Sequence, residues 1–298
     1  MKNPSLKIVF AGTPKLGAVI LEELVRSGFK IPLVLTKSDK PAGRGKKILP
    51  TSVKLVAKKN NITILSPIKL DQEDFVKQLK KLSPDLIVVA AYGKILPKVI
   101  IDLPKYGVLN VHPSLLPKYR GPSPIQFTIL EGETKTGVTI IKMSESLDEG
   151  DILTQVEVSI SPDDTTQSLT DKLAKIGAEL IIQTIPKWIN GKIKPQPQDH
   201  LKATYSAMLT KYDGKIDLEN PPTAEKFNKM VRAFYPWPGV WTELRINNQV
   251  LRIKFLPNNP FLIQLEGKRP MSSSQCKNDY PEIFHQISHL LEHKLSPE

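Results

Sequence analysis

The chain reads as an α/β protein: a mostly parallel sheet covered by helices, followed by a linker and a smaller β-rich domain. Three observations lead there. Short β-branched runs alternate with amphipathic stretches through the first half, the rhythm of repeated βαβ units. The strand-like runs are almost wholly apolar, as in a parallel sheet buried on both faces. Periodicity then stops at residues 190–204 (NGKIKPQPQDHLKAT), where two prolines and a glycine among polar residues mark a linker. A length of 298 residues also favours two separate cores over one.

In order, strands are expected at 6–11, 31–36, 62–65, 85–91 and 107–111, and helices at 18–27, 53–59 and 71–82. A further strand pair is expected at 136–143 and 152–159. A long helix over 165–188 places Leu169, Leu173, Ile176, Leu180 and Ile181 on one face. Past the linker, 225–234 suits a helix, and 240–246 and 250–255 alternate as strands around the polar turn INNQ, which contains Gln249. The expected boundaries are 1–189 for the first domain, 190–204 for the linker, 205–280 for the second domain and 281–298 for a divergent C-terminal tail.

Composition narrows the class. Forty per cent hydrophobic and 24% charged residues match a water-soluble globular protein, and no apolar run reaches membrane-spanning length. The apolar stretch 6–11 is broken by Thr13-Pro14 before a signal-peptide core forms, so it reads as a buried strand. The single cysteine, Cys276, suits a reducing compartment, and a cytoplasmic, monomeric protein is expected. The net charge of +12 is concentrated toward the N-terminus. Lys37, Lys40, Arg44, Lys46, Lys47, Lys54, Lys58 and Lys59 face one acid, Asp39, in a segment that suits either a polyanion contact or a solvated surface.

In open parallel sheets ligands bind beyond the carboxyl ends of the strands, which directs attention to the residues just past each strand end. The strand 107–111 carries Asn110 and runs into His112, Pro113 and Ser114. Two residues apart on a strand, Asn110 and His112 share a side, where an amide and an imidazole can meet one substrate atom; a satisfied strand-end histidine fits the same spacing. Asp148, in the turn SLDEGDI, is a second candidate, though acidic turns with glycine are common. Gly12 and Gly17 lack the spacing of a dinucleotide-binding loop, which disfavours a nicotinamide enzyme.

The motifs AGTP (11–14), PAGRGKK (41–47), AAYGKILP (90–97), NVHPSLLPKYRGPSPI (110–125), LDEGDI (147–152) and RAFYPWPG (232–239) occur in an order that resembles the methionyl-tRNA formyltransferase family. NVHPSLLP with YRG is similar to the signature of the wider formyltetrahydrofolate-dependent transferases. The resemblance implies a Rossmann-like catalytic domain, a linker and a small OB-like β-barrel. It implies formyl transfer from 10-formyltetrahydrofolate to methionyl-initiator tRNA, supporting translation initiation, with Asn110, His112 and Asp148 as the catalytic trio. It places the folate against Tyr92, Ile95, Leu96, Pro97, Ser114, Leu115, Leu116 and Pro117. Lys40, Arg44, Lys46 and Lys47 are the expected tRNA contacts, and neither a metal nor a membrane is implied.

The residue types suit that chemistry. An amine attacking a formamide carbon needs a donor for the developing oxyanion and a route for the ammonium proton, and a nucleophilic side chain has no part to play. In RAFYPWPG, Phe234 and Trp237 are expected, with Trp241 just beyond, mainly in the core of the second domain. One departure from the family is plain: after residue 255 the barrel strands are cut short, so the second domain is abridged. His285, His289 and His293 stand at helical spacing; a polar stripe is the expectation, a metal site the alternative. Transfer to a small amine, hydrolysis of the formyl-folate, and RNA binding without catalysis are competing functions; PAGRGKK and RAFYPWPG weigh against the first two, and the intact trio against the last.

Overall fold

The computed structural model describes residues 6–42, 47–246, 249–258 and 261–291. The chain opens with β1 (Lys7–Gly12), α1 (Lys15–Arg26) and β2 (Lys30–Leu35), then a two-stranded ribbon of β3 (Lys40–Ala42) and β4 (Lys47–Leu49). It continues through α2 (Ser52–Lys59), β5 (Thr63–Leu65), α3 (Glu73–Leu82), β6 (Leu86–Ala90), α4 (Lys98–Ile101) and β7 (Val108–His112). After α5 (Pro124–Leu130) come β8 (Lys135–Lys142), β9 (Asp151–Ser159) and α6 (Thr166–Ile189). The remainder holds α7 (Ala224–Ala233), β10 (Val240–Ile246), β11 (Gln249–Leu256), β12 (Leu262–Leu265), α8 (Ser273–Asp279) and α9 (Pro281–Leu291).

Two compact units emerge, the first from residues 1–124, 135–159 and 170–206, the second from 125–134, 160–169 and 207–298. In the first, seven strands run in the order β5-β2-β1-β6-β7-β8-β9. The first five are parallel, and β8 and β9 add antiparallel. The apolar runs LIVVA of β6 and VLNVH of β7 are buried at every residue, as central strands covered on both faces must be. The chain winds one way from β1 and the other from β6, so the switch between them opens a crevice at the carboxyl edge, one strand from the end of β7. Close packing at that switch depends on Gly17, where an added Cβ would lie 2.7 Å from the Ala90 carbonyl oxygen.

Local chemistry sets the helices. The Thr51 hydroxyl accepts from the Lys54 amide to cap α2, and α3 places Glu73 and Asp74 in its first turn and Lys80 and Lys81 in its last, matching the helix dipole. On α6 the buried face is Leu169, Leu173, Ala174, Ala178, Ile181 and Ile185, whereas Ile176 and Leu180 are only partly covered. The expected face is thus rotated. Ala174, Gly177 and Ala178 let the helix approach the sheet, and a search for large apolar residues passes over them; a Cβ on Gly177 would meet the Val111 side chain at 2.9 Å.

Residues 190–204 do not hang free. The Gln196 and Ile152 backbones exchange bonds of 2.8 and 2.9 Å, and Arg120 bridges in parallel to Tyr205. In the second unit, β10, β11 and β12 form an antiparallel sheet with Phe227 of α7 edge-on to Phe255 at 5.1 Å. Among the described residues no further strand follows β12; α8 and α9 bury Cys276, Ile283, Ile287 and Leu290 instead, giving an abridged second domain. Phe234 and Trp241 are buried as expected, but Trp237 is 54% exposed. It lies between Pro236 and Pro238, ahead of β10, so the inner face of the sheet never reaches it.

Candidate active site

The carboxyl end of β7 delivers Asn110 and His112, both buried, onto the side predicted by strand geometry. The turn between β8 and β9 brings Asp148 to them. The Asn110 side-chain amide donates to Asp148 Oδ1 at 3.2 Å, and His112 Nδ1 lies 3.6 Å from Asp148 Oδ2. Asn110 and Asp148, 38 residues apart in sequence, therefore meet His112 at one point.

What holds them is the tripeptide after the proline-bracketed turn. The Tyr119 carbonyl is 2.9 Å from His112 Nε2, and since a carbonyl only accepts, Nε2 carries the hydrogen. The Gly121 amide donates to Asp148 Oδ2 at 2.8 Å. His112 is thus hydrogen-bonded at Nε2, while its Nδ1 faces the Asp148 carboxylate from just beyond hydrogen-bond distance. Tyr119 and Asp148 adopt φ of +60° and +54°, left-handed values that non-glycine residues seldom take unless their surroundings enforce them. Arg120, between Tyr119 and Gly121, is 0% exposed. Its guanidinium donates to Gln198 Oε1 from Nε and Nη2 and pairs with Glu149 at 3.0 Å.

The residues expected around the folate divide by burial. Ser114 and Leu116 are buried, Leu115 and Pro117 half-buried, and the turn they form is tied down by Thr139, which donates to the Ser114 carbonyl at 2.6 Å and accepts from the Leu116 amide at 3.2 Å. Ile95 is 82% exposed and Pro97 half-buried, but Leu96 and Tyr92 belong to the core beneath. Burial pushes the Tyr92 phenol up to about 12, and its hydroxyl finds no hydrogen-bond partner among the described residues. Only its backbone reaches outward, where the carbonyl accepts from Thr13 at 2.9 Å.

Of the expected tRNA contacts, Arg44 and Lys46 lie outside the described residues. Lys40 is exposed on β3, and Lys47 opens β4, the antiparallel partner of β3. Other cations in that segment are engaged locally: Lys54 pairs with Asp39 at 2.6 Å and Lys59 with Glu22 at 2.8 Å. The Lys37 ammonium is held below its ordinary range by burial, then by Lys40 and Lys94 beside it. Arg232 is tied to Asn228 and to the Asp164 carbonyl. His285 and His289 lie exposed on α9, and His293 lies outside the described residues, among which no cluster of side chains suited to a metal occurs.

Residues 6–185 match the Formyl transferase family. The chain belongs to that family. This transferase is 47% identical over 237 residues to a methionyl-tRNA formyltransferase of Geobacillus sp. (strain WCH70), covering 80% of this chain and 74% of the relative. Its fold is that of a sugar N-formyltransferase from Shewanella sp. FDAARGOS_354, with TM-score 0.65 and 19% identity over 85% of this chain and 98% of that one. It is likewise similar in fold to the N-formyltransferase of Helicobacter canadensis solved with folinic acid and dTDP-3-aminofucose, with TM-score 0.61 and 21% identity over 87% and 95% of the two chains. Among the described residues no helix is long and apolar enough to cross a membrane. Of the residues around the trio, Tyr119 and Arg120 were visible only as part of the YRG motif and Gln198 not at all, because the partner of the arginine lies 78 residues on, in an aperiodic stretch.

Proposed function

We propose that this transferase moves the formyl group of 10-formyltetrahydrofolate to the amino group of methionine carried by the initiator tRNA, using Asn110, His112 and Asp148. The observation that carries the choice of acceptor is the 47% identity to a methionyl-tRNA formyltransferase, against 19–21% to the sugar-modifying enzymes of the same fold. The folate supplies an activated formyl carbon on a nitrogen leaving group. The donor set fits that group: one N–H of Asn110 is spent on Asp148, leaving the second for an oxygen that gains negative charge, and His112 Nδ1, whose ring partner Nε2 is taken by the Tyr119 carbonyl, can add another donor when it carries a proton. Asp148 accepts the proton that the attacking amine must lose, directly or through water, and a proton is returned to the departing folate nitrogen. The bond from carbon to the methionine nitrogen forms first, placing negative charge on the formyl oxygen, and the bond to the folate nitrogen breaks as the carbonyl re-forms.

Exposed Ile95 above the buried Leu96 offers an apolar surface beside this edge that suits a flat ring system. The basic segment from Lys40 to Lys47, which includes Arg44 and Lys46 in sequence, suits contact with phosphate and base. Initial rates of formyl transfer to charged initiator tRNA, charged elongator tRNA, free methionine and a nucleotide-linked amino sugar test the reading. Initiator tRNA should be preferred over every other acceptor; faster transfer to the sugar amine would overturn it.

A further inference from the structure

The buried contacts between Arg120 and Gln198 take no part in the transfer chemistry, yet they converge on the loop that carries Asp148. The Gln198 side-chain nitrogen donates to the carbonyl of Asp148 and to that of Gly150, each at 2.7 Å. Its oxygen accepts from Arg120 Nε at 3.1 Å and Nη2 at 2.9 Å. The orientation of the amide is forced: turned over, it would set NH2 against a guanidinium and oxygen against two carbonyls. The guanidinium is itself held on its far side, where Nη1 meets Glu149 at 3.0 Å and His200 Nδ1 at 3.3 Å.

We infer that Gln198 is a positioning residue for Asp148, gripping the turn by the carbonyls of residues 148 and 150 so that the carboxylate stands between Gly121 and His112. This rests on the reading of Asp148 as a catalytic group. The grip fixes the turn at Asp148, whose φ of +54° lies in the sparsely populated left-handed region. Its carboxylate is fixed by Gly121 and Asn110, but the carboxylate bonds hold only the side chain, and the backbone beneath it is held from outside the turn by Gln198. Only an amide does this job: glutamate keeps the bond to Arg120 but cannot donate to the carbonyls, and methionine fills the space with neither bond. The two backbone bonds between Gln196 and Ile152 deliver Gln198 to its place, so the aperiodic stretch that follows α6 helps to wall the site.

The test compares Gln198→Glu and Gln198→Met with wild type in the full-length protein, using 10-formyltetrahydrofolate and charged initiator tRNA, with Asp148→Asn alongside. A displacement of about 1 Å at a reacting group costs on the order of 10²-fold, so kcat should fall about 10- to 100-fold in both variants. KM for either substrate should stay within about twofold, because the binding surfaces are untouched. Turnover near wild type in a variant with a cooperative melt overturns the proposal, as does a rise in KM at constant kcat. Loss of the cooperative melt in both variants would make Gln198 a stability residue and overturn it equally. If Asp148→Asn turns over like wild type, the catalytic reading itself fails; if it is inactive and the Gln198 variants are normal, only the positioning role falls.

Discussion

Replacing Asp148 by asparagine separates charge from shape. Asparagine is one of the few side chains that tolerates the left-handed region, so φ +54° can persist. The carboxylate accepts from the Gly121 amide at 2.8 Å and from Asn110 at 3.2 Å, with His112 Nδ1 facing it at 3.6 Å. An amide in its place has one oxygen and one NH2, so whichever way it lies one of those two donors meets another donor. Hydrogen bonds to charged groups contribute about 1.5–3 kcal/mol and neutral ones about 1 kcal/mol, and a stranded buried donor costs about 1–3 kcal/mol. The net expectation is a loss of about 2–4 kcal/mol, a fall in Tm of roughly 5–10 °C for a unit of this size. Turnover should fall further than stability explains, by about 10²–10⁴-fold, since the acceptor for the amine proton is gone. Single-turnover formylation at saturating tRNA, run well below the melting range, reads the chemical step. A variant that melts lower yet transfers within about tenfold of wild type would refute the reasoning, leaving Asp148 only a role in holding the turn.

Arg120→Ala should lower stability by about 3–5 kcal/mol in urea unfolding with an unchanged m-value, because Glu149 and Gln198 lose a fully buried partner; an unmoved midpoint would mean the guanidinium contributes no more than it costs to bury. Tyr92→Phe should leave stability at neutral pH unchanged or raise it by about 1 kcal/mol, as it removes a buried hydroxyl without a partner among the described residues. The phenol is raised to about 12 in the folded state, so its contribution is complete below the unfolded value near 10 and is lost as pH rises toward 12. Alkaline melts should therefore show a wild-type loss over that window that Tyr92→Phe lacks; parallel curves would count against it. Arg44→Ala with Lys46→Ala should raise KM for tRNA, leave KM for the folate alone and reduce the salt slope by roughly 0.7–0.9 per lost phosphate contact, with identical salt curves marking the segment as solvated surface.

The parallel sheet was legible because its signal is local. β6 and β7 are apolar at nearly every position, and all seven strands of the main sheet were predicted within a few residues. What escaped is what packing decides. The ribbon of β3 and β4 and the short helices α4 and α5 are too brief to show a period, and β12 and α8 lie in a stretch with little periodicity. Trp237 looks like a core residue by type, and only its place ahead of β10 turns it outward. Tyr92 sits in a motif that suggests a ligand, yet its ring is drawn into the core with Leu96 and Ile100, so its type misleads about its surroundings.

The site divides along the same line. Asn110 and His112 could be paired from sequence because a strand fixes the side on which residues two apart project. Asp148 was a weak candidate from its turn and joined the pair only through resemblance, since nothing in a glycine-containing acidic turn states which strand end it will meet. The supports of the trio were illegible for a deeper reason: Tyr119 acts through its carbonyl and Gly121 through its amide, groups nearly every residue type carries, while Gln198 acts from a segment whose composition reads as a tether. An arrangement in which backbone atoms of residues 119 and 121 touch two members of the trio, and residue 120 grips the amide that holds Asp148 by its own backbone, makes the YRG motif one mechanical element. Its arginine is then explained by geometry as well as charge. Lysine would keep the ion pair with Glu149 but could not offer Gln198 the paired donors of Nε and Nη2, so the planar fork is what links the tripeptide to the turn of Asp148.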